Sequence, residues 1–155
     1  MIDMESILLP ECVCMTVEAR SRKRVLDFAS DLLAQHYGVS ARNLFYALME
    51  RERLGSTGIG EGVAIPHCRL ECSRMMAAFI ILKTAVDYDA IDGQPVDILF
   101  ALVVPPEEEN THLEVLACLA AVFGDASERQ QLRSADTSAE LNQRFREAVG
   151  RHSAD

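Results

Sequence analysis

Basic residues are in the minority: 15 Lys and Arg stand against 24 Asp and Glu, for a net charge of −9. That balance disfavours a protein that grips the phosphate backbone of nucleic acid nonspecifically. No run reaches the roughly 18 to 20 apolar residues needed to cross a bilayer; residues 75–82 and 115–123 are apolar but far shorter. Near the N-terminus Asp3, Glu5 and Pro10 take the place of a basic region and apolar core, and there is no small-residue cleavage site. Export is therefore not expected, and a cytoplasmic protein that is not membrane-embedded is. The five cysteines (Cys12, Cys14, Cys68, Cys72 and Cys118) are odd in number and lack C-x-x-C spacing. They read as reduced thiols rather than a zinc site or disulfide framework. No Gly-Lys-Ser/Thr is present, and the glycines precede a strand instead of following one, which removes the main support for a nucleotide-binding loop. Internal repeats, low-complexity tracts and linkers are likewise missing.

What remains is a chain of 155 residues, 49% apolar and 25% charged. Such a chain fits one globular domain that buries roughly 70% of its extended surface. A short apolar segment at residues 13–17 is followed by Val25, Leu26, Phe28, Ala29, Leu32 and Leu33 at helical spacing, with Ser21 as a cap and an end near Gly38. Ser40 caps a second helix, with Leu44, Phe45, Leu48 and Met49 on its apolar stripe, that ends at Leu54-Gly55. Residues 63–65 form a short apolar run stopped by Pro66, and residues 76–82 and 96–104 read as buried neighbouring strands around an Asp92-Gly93 turn. Thr111-x-x-Glu114 reads as a capping box opening a helix whose inner face carries Leu113, Leu116, Ala117, Ala120 and Phe123. A further helix is expected near residues 127–133. Another is capped by Thr137 with Glu140 and carries Leu141, Phe145 and Val149. The domain should span 1–150, with 151–155 a frayed tail, and consist of helices packed on a mixed sheet.

The chemistry concentrates between Arg51 and His67. Residues 55–62 hold four glycines together with Ser56 and Thr57. Glycines let successive backbone N–H groups turn toward an anion, and the hydroxyls add donors, so Ser56, Thr57, Gly58 and Gly60 could cradle a phosphoryl group. The plainer alternative is a set of tight turns between a helix and a strand. His67 follows Pro66 at a strand end, and an imidazole beside a donor-rich loop can accept phosphoryl at neutral pH. His112 falls at the first helical position, where the macrodipole favours a neutral ring able to donate one N–H to an oxyanion. Its alternative is an exposed first-turn residue. His36 at a helix end and His152 in the tail have no such setting.

Taken together, Arg51-Glu52, Ser56-Thr57-Gly58-Ile59-Gly60, Ala64-Ile65-Pro66-His67, Ala90-Ile91-Asp92-x-x-Pro95-Val96-Asp97 and Thr111-His112-Leu113 resemble a known family over nearly the whole chain. It is the enzyme IIA domains of the bacterial phosphoenolpyruvate-dependent phosphotransferase system, of the fructose/mannitol type, and within it the nitrogen-regulatory branch. The resemblance implies an α/β fold, a three-layer α/β/α sandwich with a mixed sheet flanked by helices. It implies that His67 is the phosphorylated histidine, with Arg51 and His112 stabilising the phosphate, and no metal or cofactor. The implied donor is a nitrogen-type histidine-carrier phosphoprotein, and the implied targets are regulated proteins such as transporters or sensor kinases. A sugar-specific enzyme IIA that passes phosphoryl to a transporter IIB domain would use the same residues, and a module that has lost the chemistry is a third reading. Phosphoryl transfer between imidazoles asks mainly for in-line positioning and compensation of oxygen charge. Glu61 should then face solvent or pair with an arginine. Cys68, beside His67, is either a bland substitution or a redox-sensitive neighbour. Arg20, Arg22, Lys23 and Arg24 at a helix start read as a solvated face, with a partner patch as the alternative.

Overall fold

In the computed structural model, which describes residues 3–152, helices lie on a six-stranded mixed sheet. Helix α1 (Met4–Ile7) and a 3-10 turn (Pro10–Cys12) lead into β1 (Val13–Val17). Then come α2 (Arg22–Tyr37), α3 (Ala41–Arg53), β2 (Gly58–Gly60), β3 (Val63–Ala64), β4 (His67–Arg69), β5 (Met76–Val86), β6 (Val96–Val104), α4 (Thr111–Gly124), α5 (Ala126–Arg133) and α6 (Ser138–His152). The strand order is β1-β5-β6-β3-β2, with β4 also on β6. Strand β1 runs parallel to β5, and β3 and β4 run parallel to β6, whereas β5–β6 and β2–β3 are antiparallel.

The caps expected at Ser21 and Ser40 are formed: Ser21 Oγ accepts from Arg24 N at 3.1 Å and Ser40 Oγ from Asn43 N at 3.1 Å. Each satisfies one orphan donor of a helix start. Thr137 Oγ1 likewise accepts from Glu140 N at 3.1 Å, and Glu140 reaches back to Asp136 N at 2.8 Å. Phe79 and Phe100, paired across β5 and β6, meet Phe123 of α4 and Phe145 of α6 with ring centroids 4.9 to 6.3 Å apart. These buried rings, in tilted contact except for the stacked Phe123–Phe145 pair, give the sheet a dense centre.

Three expectations need correction. Helix α4 has Asn110 at its N-cap with no side-chain bond, and Thr111 is already helical. Glu108 supplies the missing acceptor from outside the helix, its Oε1 receiving Thr111 N at 2.5 Å and His112 N at 3.2 Å. His112 is consequently the second helical residue, not the first. The inner face of α4 is Val115, Cys118, Leu119, Val122 and Phe123, whereas Leu113, Ala117 and Ala120 are exposed. A helix with apolar residues on all sides offers no periodicity to fix its rotation. Finally, the chain does not fray at Gly150. Helix α6 continues to His152 because Arg151 reaches the buried Glu128 with two bonds, of 2.9 and 2.7 Å, and His152 Nε2 lies 3.1 Å from the same carboxylate. Residues 153–155 of the expected tail lie outside the described residues.

Candidate phosphoryl-acceptor site

Strands β3 and β4 keep one register offset along β6, Val63 opposite Ile98 and His67 opposite Leu102. They are two halves of one strand interrupted at Pro66. Proline has no N–H to donate, so the ladder breaks there, although Leu102 N still donates to Pro66 O at 2.9 Å. His67 is the first residue past the break and its side chain is half-buried. Its ring Nδ1 lies 3.0 Å from the Ile65 carbonyl oxygen. A carbonyl only accepts, so Nδ1 is the donor in this contact, which in a neutral ring leaves the lone pair on Nε2.

The loop before this strand is shaped from within. Glu61 (φ 59°) and Gly62 (φ 79°) form the two-residue turn joining β2 to β3, both in the left-handed region, as a type I′ hairpin requires. A Cβ at Gly62 would sit 2.4 Å from Arg133 Nη2 and displace that guanidinium, and the positive φ favours glycine in any case. The turn is held from two sides: Asp92 accepts from Glu61 N at 3.0 Å, and Arg133, paired with Asp97 at 2.9 Å, donates to Glu61 O at 2.8 Å. Backbone N–H groups of Glu61 and Gln94 hold the Asp92 carboxyl below its ordinary value. Glu61 itself is exposed, 3.6 Å from Arg129, as expected of a carboxylate kept away from an anion.

Ser56 and Thr57 are not free donors. Ser56 Oγ donates to Tyr88 O at 2.8 Å and accepts from Gly58 N at 3.1 Å. Thr57, only 4% exposed, gives its N–H to Glu52 Oε1 at 3.1 Å and its hydroxyl to Glu52 Oε2. Gly55 N donates to Glu52 O at 3.0 Å. With the N–H groups of Gly55, Thr57, Gly58 and Glu61 all bonded inside the protein, the donors expected of Ser56 Oγ, Thr57 and Gly58 are turned inward. Those residues shape the loop rather than present donors to solvent. Gly58 is required by space, since a Cβ there would meet Ala90 Cβ at 2.7 Å.

Arg51 keeps donors for an anion, and His112 keeps a ring nitrogen without a partner among the described residues. Arg51, in the last turn of α3, is half-buried and anchored by Nη1 to Gly55 O at 3.0 Å. A guanidinium has five N–H donors, so most of its fork is left over. His112 Nδ1 is buried and lacks a hydrogen-bond partner among the described residues. An imidazole nitrogen in that state costs free energy unless something else completes it. Arg69, two residues after His67 on the same strand, ties this helix end to the site: its Nη1 donates to the carbonyls of Pro105, Pro106 and Glu108 at 2.9, 3.1 and 2.7 Å. Glu108 then caps α4 at His112. Among the described residues no hydrogen bond joins His67 directly to Arg51 or His112; each is placed by its own scaffold.

Sequence reasoning missed Tyr88, Arg69, Glu108 and Arg133, and named Glu52 only as part of the Arg51-Glu52 pair, with no role of its own. Glu52 lies between two arginines, yet its side chain is 1% exposed. Arg22, grouped with a solvated basic face, instead lies 3.6 Å from Glu52 and over the Tyr88 ring at 5.6 Å. All five cysteines are free. Burial, with the neighbouring Cys72, pushes the Cys68 thiol up to about 12, which makes it a poor nucleophile beside His67.

The candidate site is thus an imidazole just past the break between β3 and β4, an arginine in the last turn of α3 and a second imidazole in the first turn of α4. The chain is a member of the family described as phosphoenolpyruvate-dependent sugar phosphotransferase system, EIIA 2, whose profile matches residues 6–148. It is similar to the nitrogen regulatory protein of Pseudomonas aeruginosa, 45% identical over 145 residues, covering 92% of this chain and 94% of that one. The nitrogen regulatory protein of Klebsiella oxytoca is 40% identical over 155 residues, covering 99% and 96%. In structure it resembles the nitrogen regulatory protein IIA-Ntr from Neisseria meningitidis, with TM-score 0.87 and 37% identity over 92% of this chain and 98% of that one. Among the described residues no helix is long and apolar enough to cross a membrane.

Proposed function

We propose that the protein accepts a phosphoryl group on His67 Nε2 from a nitrogen-type histidine-carrier phosphoprotein, and that regulated proteins such as transporters or sensor kinases respond to whether His67 carries it. The observation that supports this reading is the 3.0 Å contact of Nδ1 with the Ile65 carbonyl, which fixes the tautomer. In the transfer, the P–N bond in the donor imidazole breaks as a P–N bond to Nε2 forms, and the donor ring recovers its lone pair. No base is needed, because Nε2 is unprotonated at the start. The His67 ring gains positive charge as it attacks, and the Nδ1–H bond to Ile65 stabilises that charge. The free part of the Arg51 guanidinium and the His112 ring compensate charge on the equatorial oxygens. Ser56, Thr57, Gly58 and Gly60 contribute by fixing the shape of the loop between Arg51 and His67.

Similarity to nitrogen regulatory proteins over nearly the full chain favours this role over passage of phosphoryl to a sugar transporter. The test is incubation with phosphoenolpyruvate, enzyme I and the carrier phosphoprotein, followed by intact mass. Wild type should gain one phosphoryl group and His67→Ala none; an equal gain in both would refute the assignment. Rapid loss of that phosphoryl to a sugar-specific IIB domain would favour the transport role instead.

A further inference from the structure

A carboxylate in the last turn of a helix opposes the macrodipole, and a buried one is costly unless several donors meet it. Glu52 is both, at the end of α3 and 4% exposed. Three donors converge on its two oxygens: Thr57 N at 3.1 Å, the Thr57 hydroxyl, and the Tyr88 hydroxyl at 2.9 Å. Burial and the adjacent Glu52 push the Tyr88 phenol upward, so it stays an O–H donor. Arg22 Nη1 stands 3.6 Å away and supplies positive charge. Apolar side chains would fill such a space at no loss of stability, so a buried ionic device is better understood through the geometry it enforces.

That geometry leads to the nucleophile. Thr57, fixed by Glu52 through its N–H, accepts Ile65 N on its own carbonyl at 3.0 Å, and the Ile65 carbonyl holds His67 Nδ1 at 3.0 Å. The other branch starts from the Glu52 backbone: its carbonyl receives Gly55 N at 3.0 Å, and the Gly55 carbonyl anchors Arg51. The carboxylate therefore reaches the attacking ring through Thr57 and Ile65, whereas the Gly55 link uses the main chain of residue 52 and would form with any side chain there.

We propose that Glu52 is a positioning residue for phosphoryl transfer, its carboxylate acting on His67 through Thr57; this rests on the reading of His67 as the acceptor. A displacement of the order of 1 Å in such a site lowers the rate by about a hundredfold. The variants are Glu52→Gln, which puts an NH2 where an acceptor stood; Thr57→Val, which removes the hydroxyl at nearly constant volume; and Thr57→Ser, which keeps both Thr57 donors. Each is assayed for phosphoryl transfer from the phosphorylated carrier protein, with kcat and KM determined separately. Glu52→Gln and Thr57→Val should lower kcat at least tenfold and leave KM for the carrier within twofold, since docking is untouched, while Thr57→Ser should match wild type within about threefold. Unchanged kcat in Glu52→Gln and Thr57→Val, a loss confined to KM, or an equal loss in Thr57→Ser would overturn the proposal. Should Glu52→Gln fail to give a folded amide spectrum, the Thr57 pair decides alone. Failure of wild type to take phosphoryl on His67 would instead refute the acceptor reading, and this proposal with it.

Discussion

Gly58 is the position where the structure gives the sharpest steric prediction. Its backbone is not in the left-handed region, so a side chain there is barred only by space. A Cβ would lie 2.7 Å from Ala90 Cβ and 3.1 Å from Ala90 Cα, and the second of these is backbone that cannot rotate away. The loop must open by several tenths of an ångström, an overpacking cost of about 1–3 kcal/mol. For a domain of this size that is a melting temperature lower by roughly 2–12 °C. Because the displaced segment joins Arg51 to His67, phosphoryl transfer should slow as well. Gly58→Ala, Ala90→Gly and the double variant form a cycle. Removing the Ala90 methyl costs something alone, but it should recover stability only when Ala occupies position 58, with a favourable coupling of about 0.5–3 kcal/mol. Urea denaturation of the four proteins measures it. Additive effects, or a Gly58→Ala protein as stable as wild type, would refute the claim that close approach to Ala90 is why position 58 is glycine.

Other outcomes follow from single contacts. His112→Ala should still accept phosphoryl, but more slowly or with an altered phosphohistidine lifetime; unchanged rate and lifetime would reduce His112 to a helix-start residue. With its thiol pushed up to about 12, Cys68 should alkylate at pH 8 roughly a thousandfold more slowly than a thiol of ordinary pKa, read by peptide mapping with iodoacetamide; rapid labelling would reopen a redox role. The Glu128 carboxyl is held below its ordinary value of 4.5, first by its bond to Arg151. A depressed folded pKa contributes stability that is present above the unfolded value and is lost as pH falls through the folded one. Melting temperature should therefore drop below about pH 4.5 in wild type and drop less in Glu128→Gln; identical pH profiles would contradict the pairing.

Much of this was legible in the sequence because local rules and tertiary structure agree. Ser21, Ser40 and Thr137 cap the helices they precede, and the branched run of β6 is buried at every position but Asp97. His67 was marked by Pro66, which interrupts the strand pairing immediately before it. What escaped was non-local. Helix α4 is capped by Glu108 from the preceding loop, and its apolar residues lie all round, so neither its first residue nor its rotation could be read from spacing. Arg151 and His152 are ordered by Glu128, 23 and 24 positions away in the chain. The hydroxyls of Ser56 and Thr57 suggested an open anion cradle, but their partners are Tyr88 and Glu52, and nothing in an Arg-Glu-Arg triplet marks the middle residue as buried.

The central claim is that His67 accepts phosphoryl at one defined nitrogen because the Ile65 carbonyl occupies the other. Long-range 1H–15N correlation of the histidine rings, before and after treatment with the phosphorylated carrier protein, tests it most directly. Before treatment the His67 ring should show the Nδ1–H tautomer, and afterwards Nε2 should carry the phosphoryl group while Nδ1 keeps its bond to Ile65. Phosphorylation at Nδ1, on another histidine, or on none would contradict it.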